Sequence, residues 1–238
     1  MRPAASLAER AVGARELMDD PACDPVALER TYARFALVNA VVSGQRALYR
    51  RWVRPRLRPG GVTRVLDIGT GGADLPRRLV RWARRDGAAL EVVAIDPDPR
   101  AADYARRHAS PGVTVRQTDS GALAATGETF DVAVSNHVLH HLDAAERAAL
   151  LADSERLVRR GGAAVHADIE RSAGAYLAFA AGTWPFQATL LRRTFIRDDG
   201  LTSIRRSFTR RELEAVLPAG WHTRRAFPGH LEAVWTPR

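Results

Sequence analysis

Residues 65–75, VLDIGTGGADL, join an apolar run to a turn that contains Gly69, Gly71 and Gly72. The apolar run favours a buried β-strand. Glycines after a strand let the backbone approach a ligand where a Cβ atom would collide with it. A helix that begins near Asp74 would then direct its N-terminus at the same ligand. The stretch therefore predicts a ligand site at the end of a strand.

The spacing of these glycines narrows the class of ligand. Dinucleotide-binding turns follow the pattern G-x-G-x-x-G/A, in which the helix N-terminus accepts a pyrophosphate. Here Asp74 stands where the third glycine belongs, and its carboxylate would repel a phosphate. A cationic or zwitterionic ligand is favoured, and a nicotinamide-dependent dehydrogenase is a weaker alternative.

Length and composition indicate one α/β domain with a small helical addition. The chain has 238 residues and contains no run of 18 apolar residues, which argues against a membrane-spanning helix. Cys23 is the single cysteine, so an intrachain disulfide is excluded. The N-terminal residues also lack the apolar core of a secretion signal. We therefore expect a cytoplasmic protein.

A net charge of +9 raises the question of nucleic-acid binding. All 36 basic side chains are arginine, and they are scattered as pairs instead of forming one stripe. Phosphate contacts need a continuous basic surface. Solvated surface arginines are the favoured interpretation, and an arginine-rich nucleic-acid methyltransferase remains an alternative from another class.

Three parts follow one another along the chain. Residues 1–58 form a predicted helical cap, with helical periodicity from residue 7 to about 56. Residues 59–238 form the main domain, in which β-rich runs alternate with helical stretches as far as about residue 169. Such alternation predicts a mostly parallel sheet with helices on both faces. The glycines at 161–162 would stop the helix before the fifth strand.

The C-terminal part departs from this alternation. Residues 172–204 form an apolar and aromatic insertion, and Thr209 and Glu212 have the spacing of a capping box. Two β-like runs then flank the residues 228–230, which predicts an antiparallel hairpin. The insertion is interpreted as a lid over an acceptor, or else as a packing helix or a contact in a homodimer.

These motifs together resemble the Rossmann-like (class I) S-adenosylmethionine-dependent methyltransferases, over about residues 60–170. The resemblance implies an α/β fold with a seven-stranded sheet and S-adenosyl-L-methionine as cofactor. Asp67, Gly69 and Gly71 match the motif near the methionine part. Asp96 matches the acid that binds the ribose hydroxyls, and Asp119 matches the partner of the adenine amino group. The full set of implied cofactor residues is Asp67, Gly69, Thr70, Gly71, Asp74, Asp96, Pro97, Asp119, Ser120 and Asn136.

The stretch 31–52, TYARFALVNAVVSGQRALYRRW, resembles the helical cap of quinone-biosynthesis methyltransferases. The resemblance implies that Tyr32 and Arg46 lie near the methionine end of the cofactor or near the acceptor. Alternatively, Tyr32, Phe35 and Trp52 only form the core of the cap.

Histidines follow the fourth predicted strand, and an acid ends the fifth. A hydroxyl acceptor needs a base, and imidazole titrates in the required range. The LHHL run resembles that of small-molecule O-methyltransferases, which implies that His140 or His141 acts with Asp168 on the acceptor hydroxyl. His137 is a further candidate. The alternative is that these histidines pack or cap the next helix. No metal site is predicted, because a third ligand has no recognisable spacing.

The fourth strand also restricts the acceptor. Methyltransferases that modify nucleobase amines or glutamine amides usually carry the motif N/D-P-P-Y/F at the fourth strand. Residues 135–138 of this chain read SNHV instead. That chemistry is therefore disfavoured. The apolar insertion, the helical cap and the histidines together favour a small apolar hydroxylated acceptor of secondary or quinone-like metabolism: a polyketide-derived phenol, an alkylresorcinol or a quinol. C-methylation of a quinol-like ring and a non-catalytic cofactor-binding protein remain alternatives.

Overall fold

A seven-stranded sheet forms the centre of the computed structural model, which describes residues 7–237. The first six residues of the predicted cap and residue 238 lie outside the described residues. The strand order is β3-β2-β1-β4-β5-β7-β6. The first five strands are parallel, and β7 runs antiparallel to both of its neighbours. The strands are β1 (Val62–Ile68), β2 (Ala89–Asp96), β3 (Val113–Gln117), β4 (Phe130–Asn136), β5 (Val158–Ile169), β6 (His222–Ala226) and β7 (His230–Trp235).

Helices cover both faces of this sheet. The described α-helices are α1 (Pro25–Val42), α2 (Gln45–Leu48), α3 (Asp74–Arg85), α4 (Pro99–Arg107), α5 (Ser120–Ala125), α6 (Ala144–Leu157), α7 (Ala173–Thr183), α8 (Ile196–Arg206) and α9 (Arg210–Val216). Successive strand residues point to opposite faces, so Val65 joins the core beneath α3 while Leu66 joins the core beneath α5, α6 and α9. The predicted fold class is confirmed, including the C-terminal hairpin.

The predicted position of the helix stop at residues 161–162 is wrong. Helix α6 ends at Leu157, and β5 begins at Val158 and passes through both glycines. A Cβ atom on Gly162 would lie 2.6 Å from the carbonyl oxygen of Asp131. Glycine is therefore needed there for close packing between strands, and not for ending a helix.

The N-terminal part becomes α-helical later than the periodicity predicted. Residues 7–24 contain a single described helical turn, Leu17–Asp19, and α1 begins at Pro25. The Asp24 carboxylate accepts a hydrogen bond from the Val26 amide, and proline suits the first helical position. Asp199 of α8 holds the segment by accepting hydrogen bonds from the amides of Leu17 and Met18 at 2.6 and 3.0 Å.

The insertion at 172–204 folds as two packed helices, because α7 and most of α8 lie within it. Gly200 allows their close approach, since a Cβ atom there would lie 2.4 Å from the ring of Phe179. The capping box between Thr209 and Glu212 is present at the start of α9. Within residues 7–237, no helix has the length and apolar character needed to cross a membrane.

Candidate active site

A cavity of about 400 Å³ opens at the carboxyl ends of β1, β2 and β4. Ligands of open parallel sheets bind at this edge. The glycine-turn end of the cavity is here the part lined by the turn after β1, Asp96-Pro97 after β2 and Asn136, and the other end is the part lined by Glu16, Asp19, His140 and His141. Side chains of α1, α7 and α8 complete the wall. The fold thus brings most of the predicted cofactor residues to one cavity.

The turn at Gly69 is shaped by close contacts. Its φ is +68°, and a Cβ atom there would lie 2.6 Å from a methyl group of Val138. The amides of Gly69 and Thr70 donate to the carbonyl of Ile95, which ties the turn to β2. The Gly71 amide donates to the Asp96 carboxylate at 2.8 Å. The turn and the acid of β2 therefore form one unit.

Two buried carboxyl groups face this end of the cavity. Burial raises the pKa of Asp67 to about 8, although the Thr70 hydroxyl donates to its Oδ2 at 2.6 Å. Burial also raises the pKa of Asp96 above its ordinary value. A cationic group in the cavity would stabilise both ionised carboxylates.

Asp74 begins α3 and lines the same cavity. Its carboxylate accepts hydrogen bonds from Gln45 at 2.8 Å and from Asn39 at 3.3 Å. The N-terminal helical part therefore helps to form the site. Sequence reasoning did not single out Gln45, because one amide in a helical stretch carries no motif.

The structure does not bring Asp119 and Ser120 into the cavity wall. Asp119 is exposed at the end of β3, where its carboxylate caps α5 by accepting from the Ala122 amide at 2.8 Å. The Ser120 hydroxyl donates to Asp153 at 2.6 Å. Helix capping accounts for the position of the aspartate. Its contact with adenine stays a prediction.

Tyr32 and Arg46, the two cap residues expected near the cofactor or the acceptor, differ in their position relative to the cavity. Tyr32 is buried, lines the cavity and packs on Tyr104 with ring centroids 5.1 Å apart. Burial raises the pKa of its hydroxyl. The expected position of Arg46 is wrong: its guanidinium lies 5.0 Å from the centroid of Trp82, outside the cavity wall. Stacking on this aromatic ring explains the orientation of the arginine.

The other end of the cavity is lined by Glu16, Asp19, His140 and His141; together with Asp168, which contacts His140, these residues are here called the acid-histidine cluster. Imidazole Nδ1 of His140 lies 2.7 Å from Asp168 Oδ1, and its Nε2 lies 3.2 Å from Glu16 Oε1. Burial opposes the charged imidazolium, but the two carboxylates outweigh it and raise the pKa of His140 to about 9. Both ring nitrogens are engaged, so this arrangement argues against His140 as the direct base.

Asp168 holds His140 in place from the end of β5. Its carboxylate accepts from the His140 backbone amide at 2.9 Å as well as contacting the ring. Burial alone would raise the pKa of Asp168, but His140 holds it well below its usual range. Asp168 is thus a carboxylate that orients the neighbouring histidine.

His141 is the more accessible of the paired histidines. Its side chain is 29% exposed, and it lines the cavity. Its Nδ1 lies 3.2 Å from Asp19 Oδ2, while its Nε2 lies 3.6 Å from Glu16 Oε1. The second distance exceeds a hydrogen bond. Nε2 of His141 therefore makes no hydrogen bond to Glu16.

His137 also lines the cavity but has a different environment. Its Nδ1 lies 4.0 Å from Asp168 Oδ1, and its ring meets that of His230 edge to face. Burial, with help from His230, lowers the pKa of His137 to about 3, so the ring is neutral. Its Nε2 and the Oδ1 of Asn136 are buried without a hydrogen-bond partner among the described residues.

Sequence reasoning missed the two members of the cluster that come from residues 7–24, Glu16 and Asp19. Glu16 is separated from His140 by 124 positions, so no local spacing links them. The Ser203 hydroxyl donates to Glu16 at 2.8 Å, and Arg206 lies 3.5 Å from Asp19. Within the described part of the chain, the ligand atoms of Glu16, His140 and His141 all lie within 4.8 Å of one another, which permits metal binding.

Comparison with solved structures defines the class of fold. The plantazolicin methyltransferase BpumL in complex with SAH aligns with a TM-score of 0.63 at 13% identity, covering 93% of each chain. Human N-acetylserotonin methyltransferase in complex with SAM aligns with a TM-score of 0.62 at 10% identity, covering 90% of this chain and 57% of that one. The fold is that of the class I methyltransferases.

Sequence comparison then gives the family. Residues 65–162 match the family described as "Methyltransferase domain". The ubiquinone biosynthesis O-methyltransferase of Parvibaculum lavamentivorans is 37% identical over 123 residues, which are 50% of this chain and 46% of the relative. That of Cereibacter sphaeroides is 35% identical over 112 residues, 46% and 42% of the two chains. The chain thus spans less than half the length of these relatives. The matched domain, the relatives and the fold together support a class I S-adenosylmethionine-dependent methyltransferase.

Proposed function

We propose that the protein transfers a methyl group from S-adenosylmethionine to a hydroxyl of a small apolar, phenolic acceptor. One observation carries this proposal: a single cavity connects the glycine turn and Asp96 with the acid-histidine cluster. A cofactor site and a group that can accept a proton are thus adjacent, as methyl transfer to a hydroxyl requires. The names of the relatives, ubiquinone biosynthesis O-methyltransferases, support transfer to oxygen.

The residues at the glycine-turn end fit the cofactor. The backbone at Gly69 occupies space that a Cβ atom would fill, and Asp67 and Asp96 are buried carboxyl groups suited to a cationic ligand. Asn136 offers a buried amide oxygen that has no hydrogen-bond partner among residues 7–237. We assign the methionine part to Asp67, the turn and Asn136, and the ribose hydroxyls to Asp96.

The walls between the two ends suit an apolar acceptor. Phe35, Val38 and Val42 come from α1, while Phe179 and Ile196 come from the insertion. Apolar walls with a few converging polar groups are typical of small-molecule sites. This composition supports a phenol, an alkylresorcinol or a quinol as acceptor, with the insertion acting as its cover.

The cluster has the chemistry to activate a hydroxyl. When bound, the cofactor supplies an activated methyl group, whose carbon–sulfur bond breaks with its electron pair left on sulfur as the acceptor oxygen bonds to carbon. The hydroxyl proton must leave before or during that step. We assign its removal to the acid-histidine cluster, in which His141 faces the cavity and His140 and Asp168 hold the geometry.

Other functions have less support. C-methylation of an electron-rich ring uses the same site and the same activated hydroxyl, so it is the second candidate. Nucleic-acid methylation is disfavoured because arginines such as Arg64 and Arg225 pair with nearby carboxylates.

Calorimetry with S-adenosylhomocysteine, followed by product analysis on a panel of phenols, tests this proposal. Asp96→Asn should weaken binding of S-adenosylhomocysteine, whereas Asp103→Asn, which alters an exposed aspartate, should not. Mass spectrometry of the product separates O-methyl from C-methyl transfer. Cofactor binding without turnover on any phenol would instead favour the non-catalytic alternative.

A further inference from the structure

We propose that Glu16, His140 and His141 form a divalent metal site of the zinc type at the acceptor end of the cavity. The inference rests on the proposed function, because it supplies a means of ionising the acceptor hydroxyl. It goes against the expectation from sequence that the protein has no metal site. The missing third ligand is Glu16, which only the fold brings to the paired histidines.

The distances between the ligand atoms fit one metal ion. Zinc binds imidazole nitrogen and carboxylate oxygen at about 2.0–2.2 Å, which places two ligands of a tetrahedral site roughly 3.4 Å apart. Glu16 Oε1 lies 3.2 Å from Nε2 of His140 and 3.6 Å from Nε2 of His141. Both histidines therefore present the same ring nitrogen to the same carboxylate, at the separation that metal ligands have.

The groups behind the two histidines also match a metal site. A ligating histidine usually donates its other ring N–H to a carboxylate, which fixes its tautomer and orientation. Nδ1 of His140 lies 2.7 Å from Asp168, and Nδ1 of His141 lies 3.2 Å from Asp19. Each imidazole thus has a carboxylate on the side away from the shared oxygen.

The charge around the cluster favours a cation. Glu16, Asp19 and Asp168 contribute three carboxylates, and the guanidinium of Arg206 lies 3.8 Å from Glu16 and 3.5 Å from Asp19. With both imidazoles neutral, as metal ligands must be, negative charge is in excess. The Ser203 hydroxyl donates to Glu16 and would orient its carboxylate.

Three protein ligands leave the fourth position of a tetrahedral site open. His141 lines the cavity, so that position would face the acceptor. A hydroxyl bound there would ionise more readily, because a bound divalent cation lowers the pKa of its oxygen ligands. The proton released from the acceptor hydroxyl would pass to solvent. His141 would not accept this proton, because the lone pair of its Nε2 would bind the metal.

Zinc titration of the full chain tests the proposal, after any affinity tag is removed and the protein is stripped with a chelator. We expect one Zn²⁺ per chain, and a change in the visible spectrum when Co²⁺ replaces it. Glu16→Gln and His141→Ala should weaken Zn²⁺ binding by at least about tenfold, and Asp19→Asn by about tenfold. The matched controls Glu9→Gln and His222→Ala alter exposed residues and should bind as the wild type does.

Calorimetry with S-adenosylhomocysteine on the same preparations separates this inference from the proposed function. Variants that bind S-adenosylhomocysteine normally but lose Zn²⁺ are folded and support the metal site. The metal site is overturned if the wild type binds S-adenosylhomocysteine but no Zn²⁺. It is also overturned if the test and control variants lose Zn²⁺ binding equally. Zn²⁺ binding without any S-adenosylhomocysteine binding would support the metal site and contradict the proposed function.

Discussion

Replacing Asp67 with asparagine should stabilise the protein in the absence of cofactor, and more so at higher pH. Burial raises the pKa of this carboxyl from 3.8 to about 8, so the folded state holds a proton that the unfolded state releases. Wild-type stability therefore falls as pH rises from about 4 to about 8. Asparagine does not titrate and removes this dependence.

The magnitude follows from the two pKa values. At about 1.36 kcal/mol per unit, the shift costs the wild type about 4 kcal/mol at pH 7 and about 2 kcal/mol at pH 5. The amide that replaces the carboxyl adds a change that does not depend on pH. The difference between the costs at the two pH values, roughly 2–3 kcal/mol, is thus the quantity to measure. It corresponds to roughly 5–10 °C in melting temperature for a chain of this size.

Thermal unfolding of Asp67→Asn and wild type at pH 5 and pH 7 provides the assay. The gap in melting temperature should widen at the higher pH, whereas Asp103→Asn, an exposed aspartate, should show no such trend. S-adenosylhomocysteine should bind the Asp67 variant more weakly, because the charged carboxylate would be absent. An equal gap at both pH values would refute the argument that Asp67 is protonated in the folded protein.

Three further predictions concern the cavity. Gly69→Ala should cost about 1–3 kcal/mol of stability, because φ is positive there and the new Cβ would overlap a methyl group of Val138. Gly174→Ala is the control, because the space around Gly174 is open, and urea unfolding measures both variants. Asp96→Ala should lower the affinity for S-adenosylhomocysteine by about 1.5–3 kcal/mol by calorimetry, since charged hydrogen bonds are lost. His141→Ala should reduce kcat about 10²–10⁴-fold with S-adenosylhomocysteine affinity unchanged; a parallel loss of both would contradict its place at the acceptor end.

Local patterns in the sequence predicted the sheet, the glycine turn and the histidines at its edge. Each of these depends on neighbouring residues, such as the run that ends at Asp67 or the pair His140-His141. The residues next to it in sequence do not determine the direction in which a single side chain points. Arg46 was therefore expected at the cavity, although stacking on Trp82 directs it elsewhere. Asp119 shows the same limit, since an acid after a strand serves a helix cap as well as a ligand.

Glu16 and Asp19 could not have been predicted, because the segment that carries them has no strong pattern of its own. Residues 7–24 contain one short helical turn, and other elements hold them in place. Asp199 accepts two backbone hydrogen bonds from the segment, and Arg171 donates to the carbonyl of Leu7. Such a position is decided by tertiary contacts alone.

This dependence links the chemistry of the site to the docking of its N-terminal segment. The cofactor end is built from β1, β2 and α3, whose side chains lie in the main core. The acid-histidine cluster instead takes Glu16 and Asp19 from a segment held by hydrogen bonds to α8. Regions with few buried apolar contacts open more readily than a core. Cofactor binding should therefore survive perturbations of the segment that remove Glu16 and Asp19 from His140 and His141.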